Sequence, residues 1–286
     1  MSDIQNIQWF PGHMTKTRRL IAENLSLVDC VTEIIDARIP YSSRNPVLDE
    51  LCINKPRILL LNKSDLSDEN YNKKWISHFK ANGIYALAVD CKSGKGLNQF
   101  LPLVKDLLSE KLTRLREKGM VGRTLRIMVA GIPNCGKSTF INSMAGEKRA
   151  KAEDRPGVTR GRQWINLGQG VEMMDTPGIL WPKFEDEAVG EHLAFTGAIN
   201  DDILDKEQLA SRLCQALYER YRNNILTRYK IQGELPQDGF EALKLIGKRR
   251  GFLVTGGEVD TLRAAIMLLD EFRGGLLGRI TLDECK

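Results

Sequence analysis

Three polar turns, each closing a strand-like run, stand in this chain in an order that few folds can accommodate. Arg57-Ile58-Leu59-Leu60-Leu61 has the look of a strand buried on both faces of a parallel sheet, and it ends in Asn62-Lys63-Ser64-Asp65. Well downstream, Leu125-Arg126-Ile127-Met128-Val129-Ala130 runs into Gly131-Ile132-Pro133-Asn134-Cys135-Gly136-Lys137-Ser138. From Ser138 the pattern continues as a helix through Met144. Strand, glycine turn and helix start together make a cradle for phosphate. The glycines let backbone N–H groups close around the oxygens, and the helix N-terminus adds its partial positive charge. A third turn, Asp175-Thr176-Pro177-Gly178, closes the run Val171-Glu172-Met173-Met174. The chain must bring all three strand ends to one edge of one sheet.

Each turn has residues suited to one part of a magnesium nucleotide. Lys137 would reach the β- and γ-phosphates, the Ser138 hydroxyl would be a Mg²⁺ ligand, and Asn134, Cys135, Gly136 and Thr139 would line the loop. An Asp65 carboxylate can accept two hydrogen bonds, from guanine N1–H and N2–H₂. Adenine lacks both donors, and such a mismatch discriminates by roughly 10⁴ or more. The aliphatic stem of Lys63 would lie over the base, and Asn62 would brace the phosphate loop across the site. A further strand, Ile84-Tyr85-Ala86-Leu87-Ala88-Val89, leads into Asp90-Cys91-Lys92-Ser93-Gly94-Lys95-Gly96. That segment is similar to a Ser-Ala-Lys loop whose backbone amide meets guanine O6, with Cys91 in the small-residue place and Lys92 beside it. The residues therefore select guanine: GTP or GDP.

The third turn and the stretch before it would read the γ-phosphate. Asp175 would hold Mg²⁺ through water, and the Gly178 N–H would contact the γ-phosphate. In Arg155-Pro156-Gly157-Val158-Thr159-Arg160, Thr159 would bind Mg²⁺ only while that phosphate is present. Losing it would free both loops, an order-to-disorder switch. Ras-like enzymes place a glutamine after this glycine to orient the attacking water. Here it is Ile179, which can neither donate nor accept a hydrogen bond. Two residues could compensate. His13, in Trp9-Phe10-Pro11-Gly12-His13-Met14, either positions water or simply starts a helix. Asn134 either offers its amide oxygen to K⁺ beside the phosphates or braces its own loop.

An ordinary GTPase meets its phosphate loop first and its guanine tetrad near the end. The reversed order here resembles the circularly permuted GTPases. Trp9 to Met14, Asp36-Ala37-Arg38-Ile39-Pro40 and Ser43-Arg44-Asn45-Pro46 resemble the ribosome biogenesis GTPase A branch. The resemblance covers nearly the whole chain, most closely as far as Gly178. It implies a GTPase with a low unassisted rate that acts late in assembly of the large ribosomal subunit and is stimulated by that particle. It also implies an apolar residue at Ile179, a water-positioning role for His13 and activation by K⁺ through Asn134. Two rivals are a GTPase serving the small subunit and a nucleotide-gated RNA-binding scaffold with negligible turnover.

The expected architecture is α/β. A circularly permuted phosphate-loop GTPase domain, mostly parallel sheet flanked by helices, would occupy residues 1–185. A small all-helical domain that binds RNA would occupy residues 186–286, after a linker at Phe184-Glu185-Asp186-Glu187. Helical spacing falls over 204–221 and 259–272, with Gly251-Phe252-Leu253-Val254-Thr255-Gly256-Gly257 forming a loop between them. At 286 residues, two domains is the natural reading.

The formal charge of +5 is concentrated in places. Arg114, Arg116, Lys118, Arg123 and Arg126 precede the phosphate loop, and Lys148, Arg149, Lys151, Arg155, Arg160 and Arg162 surround the first switch. Two further runs are Arg220, Arg222, Arg228, Lys230 and Lys244, Lys248, Arg249, Arg250. The first two are each either a solvated face or a phosphate-binding one; the last two belong to a helical part that is either an RNA-binding module or a cap that only packs against the GTPase domain. No long uncharged apolar run suggests a membrane span, and the start of the chain reads as neither signal nor transit peptide. The six cysteines form no Cys-x-x-Cys pair, which argues against zinc and against a disulfide framework. A cytoplasmic monomer is the expectation.

Overall fold

The computed structural model describes residues 18–19, 21–120, 122–146, 164–176 and 186–285. Among them, β1 (Cys30–Asp36), β2 (Arg57–Asn62), β3 (Tyr85–Ala88), β4 (Leu125–Gly131), β5 (Trp164–Gly168) and β6 (Val171–Asp175) form one sheet in the order β3-β2-β1-β4-β6-β5. Every pairing is parallel except β5 with β6. The mostly parallel sheet expected from the apolar runs is present.

Alternation along each strand explains its layers. Ile58 and Leu60 of β2 and Ile127 and Val129 of β4 pack on one face, with Phe100, Val104, Phe140 and Ile141. These come from α3 (Phe100–Leu107) and α5 (Lys137–Ala145), which follow α1 (Pro46–Leu51) and α2 (Glu69–Ala81); α4 (Ser109–Glu117) lies between α3 and β4. Leu59 and Leu61 turn to the other face and meet Trp75 and Phe79 of α2. A period of two thus buries both faces of the central strands. Glu33, also buried, sits in β1 with its carboxylate receiving the Asn45 N–H at 2.8 Å and pairing with Arg57.

Among the described residues four α-helices follow: α6 (Glu187–Phe195), α7 (Lys206–Tyr229), α8 (Gly239–Arg249) and α9 (Thr261–Arg273). Each begins where an aspartate side chain caps it, namely Asp186, Asp205, Asp238 and Asp260. Asp186, read from sequence as linker, is therefore the first cap of the helical part. The helix expected over 204–221 runs on to Tyr229, kinking at Tyr221, because Ile225 and Tyr229 extend its buried stripe. The apolar core on the α3/α5 side of the sheet continues unbroken into Leu193, Leu213, Leu243, Leu268 and Ile280.

The last residues tie the helices back to the sheet. The Ile280 N–H donates to Leu66 O at 3.0 Å and the Leu282 N–H to Arg38 O at 2.8 Å. Asp283 accepts from the Tyr41 and Ser42 N–H groups, both at 2.7 Å, and from the Ser42 hydroxyl at 2.6 Å. His192 Nδ1 lies 2.7 Å from the same carboxylate. Removing it by Asp283→Ala strands two backbone donors. We expect a loss of roughly 2–3 kcal/mol, seen by calorimetry as a melting temperature about 5–10 °C lower. A change within 1 °C would mean that the tail does not hold the helices.

Candidate active site

β1 and β4 are neighbours, yet the chain leaves them in opposite directions: β2 and β3 lie beyond β1, β6 and β5 beyond β4. Open α/β sheets bind ligands at the carboxyl ends of the strands where the order reverses in this way. The strands meeting there end in Asp36, Asn62 and Gly131. Topology alone therefore selects the edge that carries the polar turns.

Asn62 links two of the loops. Its Nδ2 donates to Cys135 O at 2.8 Å, and its Oδ1 accepts from the Cys91 N–H at 3.0 Å. The Cys91 N–H is thus engaged by Asn62, while Lys92 is exposed and its N–H turns back to Asp90 Oδ1 at 2.9 Å. Ser143 Oγ donates to Cys91 O at 2.7 Å, fastening the same loop to α5. Gly136 sits so close to Asn62 that an added Cβ would lie 2.2 Å from Nδ2, with φ of +94°. A Cβ on Gly131 would meet Ile34 O at 2.5 Å. The glycines are required by these approaches. Burial pushes the Cys135 and Cys91 thiols up to about 12, so they are neutral packing groups.

At the start of α5, Lys137 reaches across to β6. Its Nζ is 3.0 Å from Asp175 Oδ1, while Ser138 and Thr139 are exposed at the helix N-terminus. A hydroxyl and a carboxylate beside a helix N-terminus are hard oxygen donors that fit Mg²⁺ and its phosphates. Asp65 is exposed at the end of its turn. Lys63 adopts φ of +60°, and its Nζ donates to Asp36 Oδ2 at 2.9 Å and Asn134 O at 2.7 Å. Asn134, at φ of +58°, donates from Nδ2 to Gly197 O at 2.6 Å.

The chain is 50% identical over 279 residues, covering 97% of it and 96% of the relative, to "Ribosome biogenesis GTPase A" of Priestia megaterium. The chain belongs to the ribosome biogenesis GTPase A family. It is accordingly a GTP-hydrolysing enzyme with a circularly permuted phosphate-loop fold. A family profile described as "50S ribosome-binding GTPase" matches residues 126–222. Similarity extends to "Mitochondrial ribosome-associated GTPase 1" of Mus musculus, 34% identical over 96% of this chain and 90% of that one. Among solved structures, GNP-bound YlqF from T. maritima superposes with a TM-score of 0.65 at 28% identity, covering 95% of this chain and 99% of that one.

Of the candidate residues of this family member, Asn62, Lys63, Asp65, Cys91, Lys92, Asn134 to Thr139 and Asp175 all lie on the one edge. His13, Thr159, Gly178 and Ile179 fall outside the described residues, as do Phe184, Glu185 and the basic residues from Lys148 to Arg162. Three residues beside the site carried no assigned role in the sequence: Asp36, Arg38 and Arg273. The Asp36-Ala37-Arg38 string was visible; nothing local marked Arg273.

Two basic runs also sort differently in three dimensions. Arg220 turns inward to Tyr71 Oη and Leu282 O, and Arg228 pairs with Glu271. Lys244, Lys248 and Arg249 stay exposed on α8. The first run is thus partly structural; in the second, Arg250 also pairs with Glu271 and Lys244 with Glu241, which leaves Lys248 and Arg249 facing solvent.

Proposed function

We propose that this GTPase binds the immature large ribosomal subunit, promotes a late step of its assembly and leaves after hydrolysis that the particle stimulates. The observation that carries the reading is the convergence of the Asn62 turn, the phosphate loop and the Asp175 end of β6 at the β1/β4 reversal, with Asn62 bonded to both flanking loops. The choice of particle is supported by the profile named for 50S binding and by relatives named for ribosome biogenesis.

In the proposed reaction, water attacks the γ-phosphate in line with the departing GDP. Asn62, Lys63 and Asp65 hold guanine, and Cys91 and Lys92 close that side. The 134–139 loop cradles phosphate, with Lys137 offsetting charge on the β- and γ-oxygens. Ser138, Thr159 and Asp175 would hold Mg²⁺, which when bound neutralises phosphate charge. Gly178 would donate to the γ-phosphate and His13 would position water in place of the glutamine missing at Ile179. With Nδ2 of Asn134 engaged by Gly197, its Oδ1 is the amide atom suited to K⁺. Residues 1–185 and 186–286 act as two domains, the second meeting ribosomal RNA through Lys244, Lys248 and Arg249. The protein works as a cytoplasmic monomer, with a low rate when alone.

The test is GTP hydrolysis in K⁺ buffer, alone and with isolated large or small subunits. The expected result is a rise of roughly tenfold or more with the large subunit only, modest beside the 10³–10⁵-fold that an arginine finger supplies, and a lower rate when Na⁺ replaces K⁺. Equal stimulation by both subunits, or none by either, would overturn the large-subunit assignment.

A further inference from the structure

Lys63 is the point where two polar chains from the C-terminal helices converge. The first runs through β1. Asp36 and Arg38 are each 1% exposed. Arg38 grips the Asp36 carboxylate with both arms of its fork, Nε to Oδ1 at 2.9 Å and Nη2 to Oδ2 at 2.7 Å. Burial opposes the Asp36 charge, but Arg38 and Lys63 outweigh it and hold the carboxyl well below the usual carboxylate range. Arg38 is anchored in turn at the end of α9. Its Nη1 donates to Phe272 O and Arg273 O, both at 3.3 Å, and its guanidinium lies 5.3 Å from the Phe272 ring centre.

The second chain runs through the phosphate loop. Lys63 Nζ donates to Asn134 O, and Asn134 Nδ2 donates to Gly197 O just beyond α6. There the backbone is fixed by Arg273, which donates to Ala194 O at 2.9 Å and Phe195 O at 3.0 Å. The same guanidinium pairs with both oxygens of Asp201, at 2.6 and 2.8 Å. It also lies against Gly197, where an added Cβ would be 3.3 Å from Nε. Both chains therefore end on Arg273, one at its carbonyl and one beside its side chain.

A closed ring results: Lys63, Asp36, Arg38, Arg273, the Ala194–Gly197 turn and Asn134. Lys63 needs such support, because a non-glycine residue at φ of +60° costs on the order of 1 kcal/mol and persists only where its surroundings over-determine it. We infer that Arg273 and Arg38 are positioning residues for guanine binding, holding Lys63 over the base so that the seating of the C-terminal helices sets nucleotide affinity. The coupling enters on the guanine side, separate from the γ-phosphate sensor at Asp175 to Gly178. It rests on the proposed role of Lys63 at the base. Because linkage is reciprocal, bound GDP must also steady the α9 end and the Ala194–Gly197 turn.

The experiment uses the full chain with Arg273→Lys, Arg38→Lys, Lys63→Ala and the Arg273→Lys/Lys63→Ala double variant. Affinities for GDP and a non-hydrolysable GTP analogue are measured by fluorescence, with melting temperatures alongside. Amide hydrogen exchange is followed over 194–198 and 272–275 with and without GDP. Arg273→Lys keeps the charge but loses the planar fork, and should weaken GDP and the GTP analogue alike, on the order of tenfold. In the Lys63→Ala background it should add little, because the ring is already open. Wild-type exchange at both segments should slow with GDP, and this slowing should vanish in Arg273→Lys. Arg38→Lys, buried and prone to unfolding, is read only if its melting curve stays cooperative. Additive losses in the cycle, an altered GTP-to-GDP affinity ratio, or exchange indifferent to GDP would overturn the inference while leaving the guanine site standing. Failure of the wild type to bind GDP would overturn the site reading itself.

Discussion

Replacing Asp65 with asparagine is expected to destroy the preference for guanine, with the largest selectivity change of any single substitution at the site. In the proposed site the aspartate would present two acceptors to two guanine donors, N1–H and N2–H₂. An asparagine offers one acceptor and one donor, so one guanine contact becomes donor against donor. Loss of a matched polar pair in a closed pocket is worth roughly 10⁴-fold in selectivity. Xanthine keeps N1–H but carries a carbonyl at position 2, which matches the asparagine amide. Asp65→Asn should therefore bind XDP more tightly than GDP, with ADP weak in both proteins. Competition of GDP, XDP and ADP against a fluorescent nucleotide measures this. Asp65 is exposed at its turn, so the fold should be unaffected. Retained guanine preference in the variant would remove Asp65 from the base site.

Lys137→Ala should have the largest effect on the reaction itself. The ammonium stands at the start of α5, 3.0 Å from Asp175, with its side chain 11% exposed and Asp175 47% exposed. That pair is too open to matter much for stability, about 0–1 kcal/mol. Its place beside the phosphate cradle is another matter, because charge aimed at phosphate oxygens in a preorganised site typically contributes 10²–10³-fold to turnover. Single-turnover hydrolysis should fall by about that factor, while the melting temperature moves by no more than about 2 °C. GDP affinity should fall less than the rate. A rate within threefold of wild type would show that other groups carry the phosphate charge.

Both expectations come from residues whose neighbours in sequence announce them. The apolar runs at β2 and β4 end in the turns that matter, and their alternation fixes which side chains face which layer. The mostly parallel sheet, the permuted order and the Lys137, Asn62 and Asp65 turns were legible for that reason: strand pattern and turn chemistry are local. Where pattern was weak, elements were missed. β1 contains Glu33, which breaks the apolar run, and the Arg57 side chain and Asn45 N–H that satisfy its buried carboxyl both lie outside the strand. The kink at Tyr221 was likewise hidden. The stripe continues past it to Tyr229, and the phenol is held by Thr281 from the far end of the chain.

The sequence by itself determined the fold class, the nucleotide and the family, because each depends on short strings with their own local geometry. Tertiary structure alone decided how the C-terminal helices join the site. Arg38 and the carbonyl of Phe272 lie 234 positions apart, and Asn62 and Cys135 lie 73 apart. Arg220 looked from sequence like part of a basic face and proved to be a brace for the chain end. Charge and hydrogen-bonding capacity are written in the residue, but the partner that satisfies them is chosen by whichever distant backbone the folded core brings within reach.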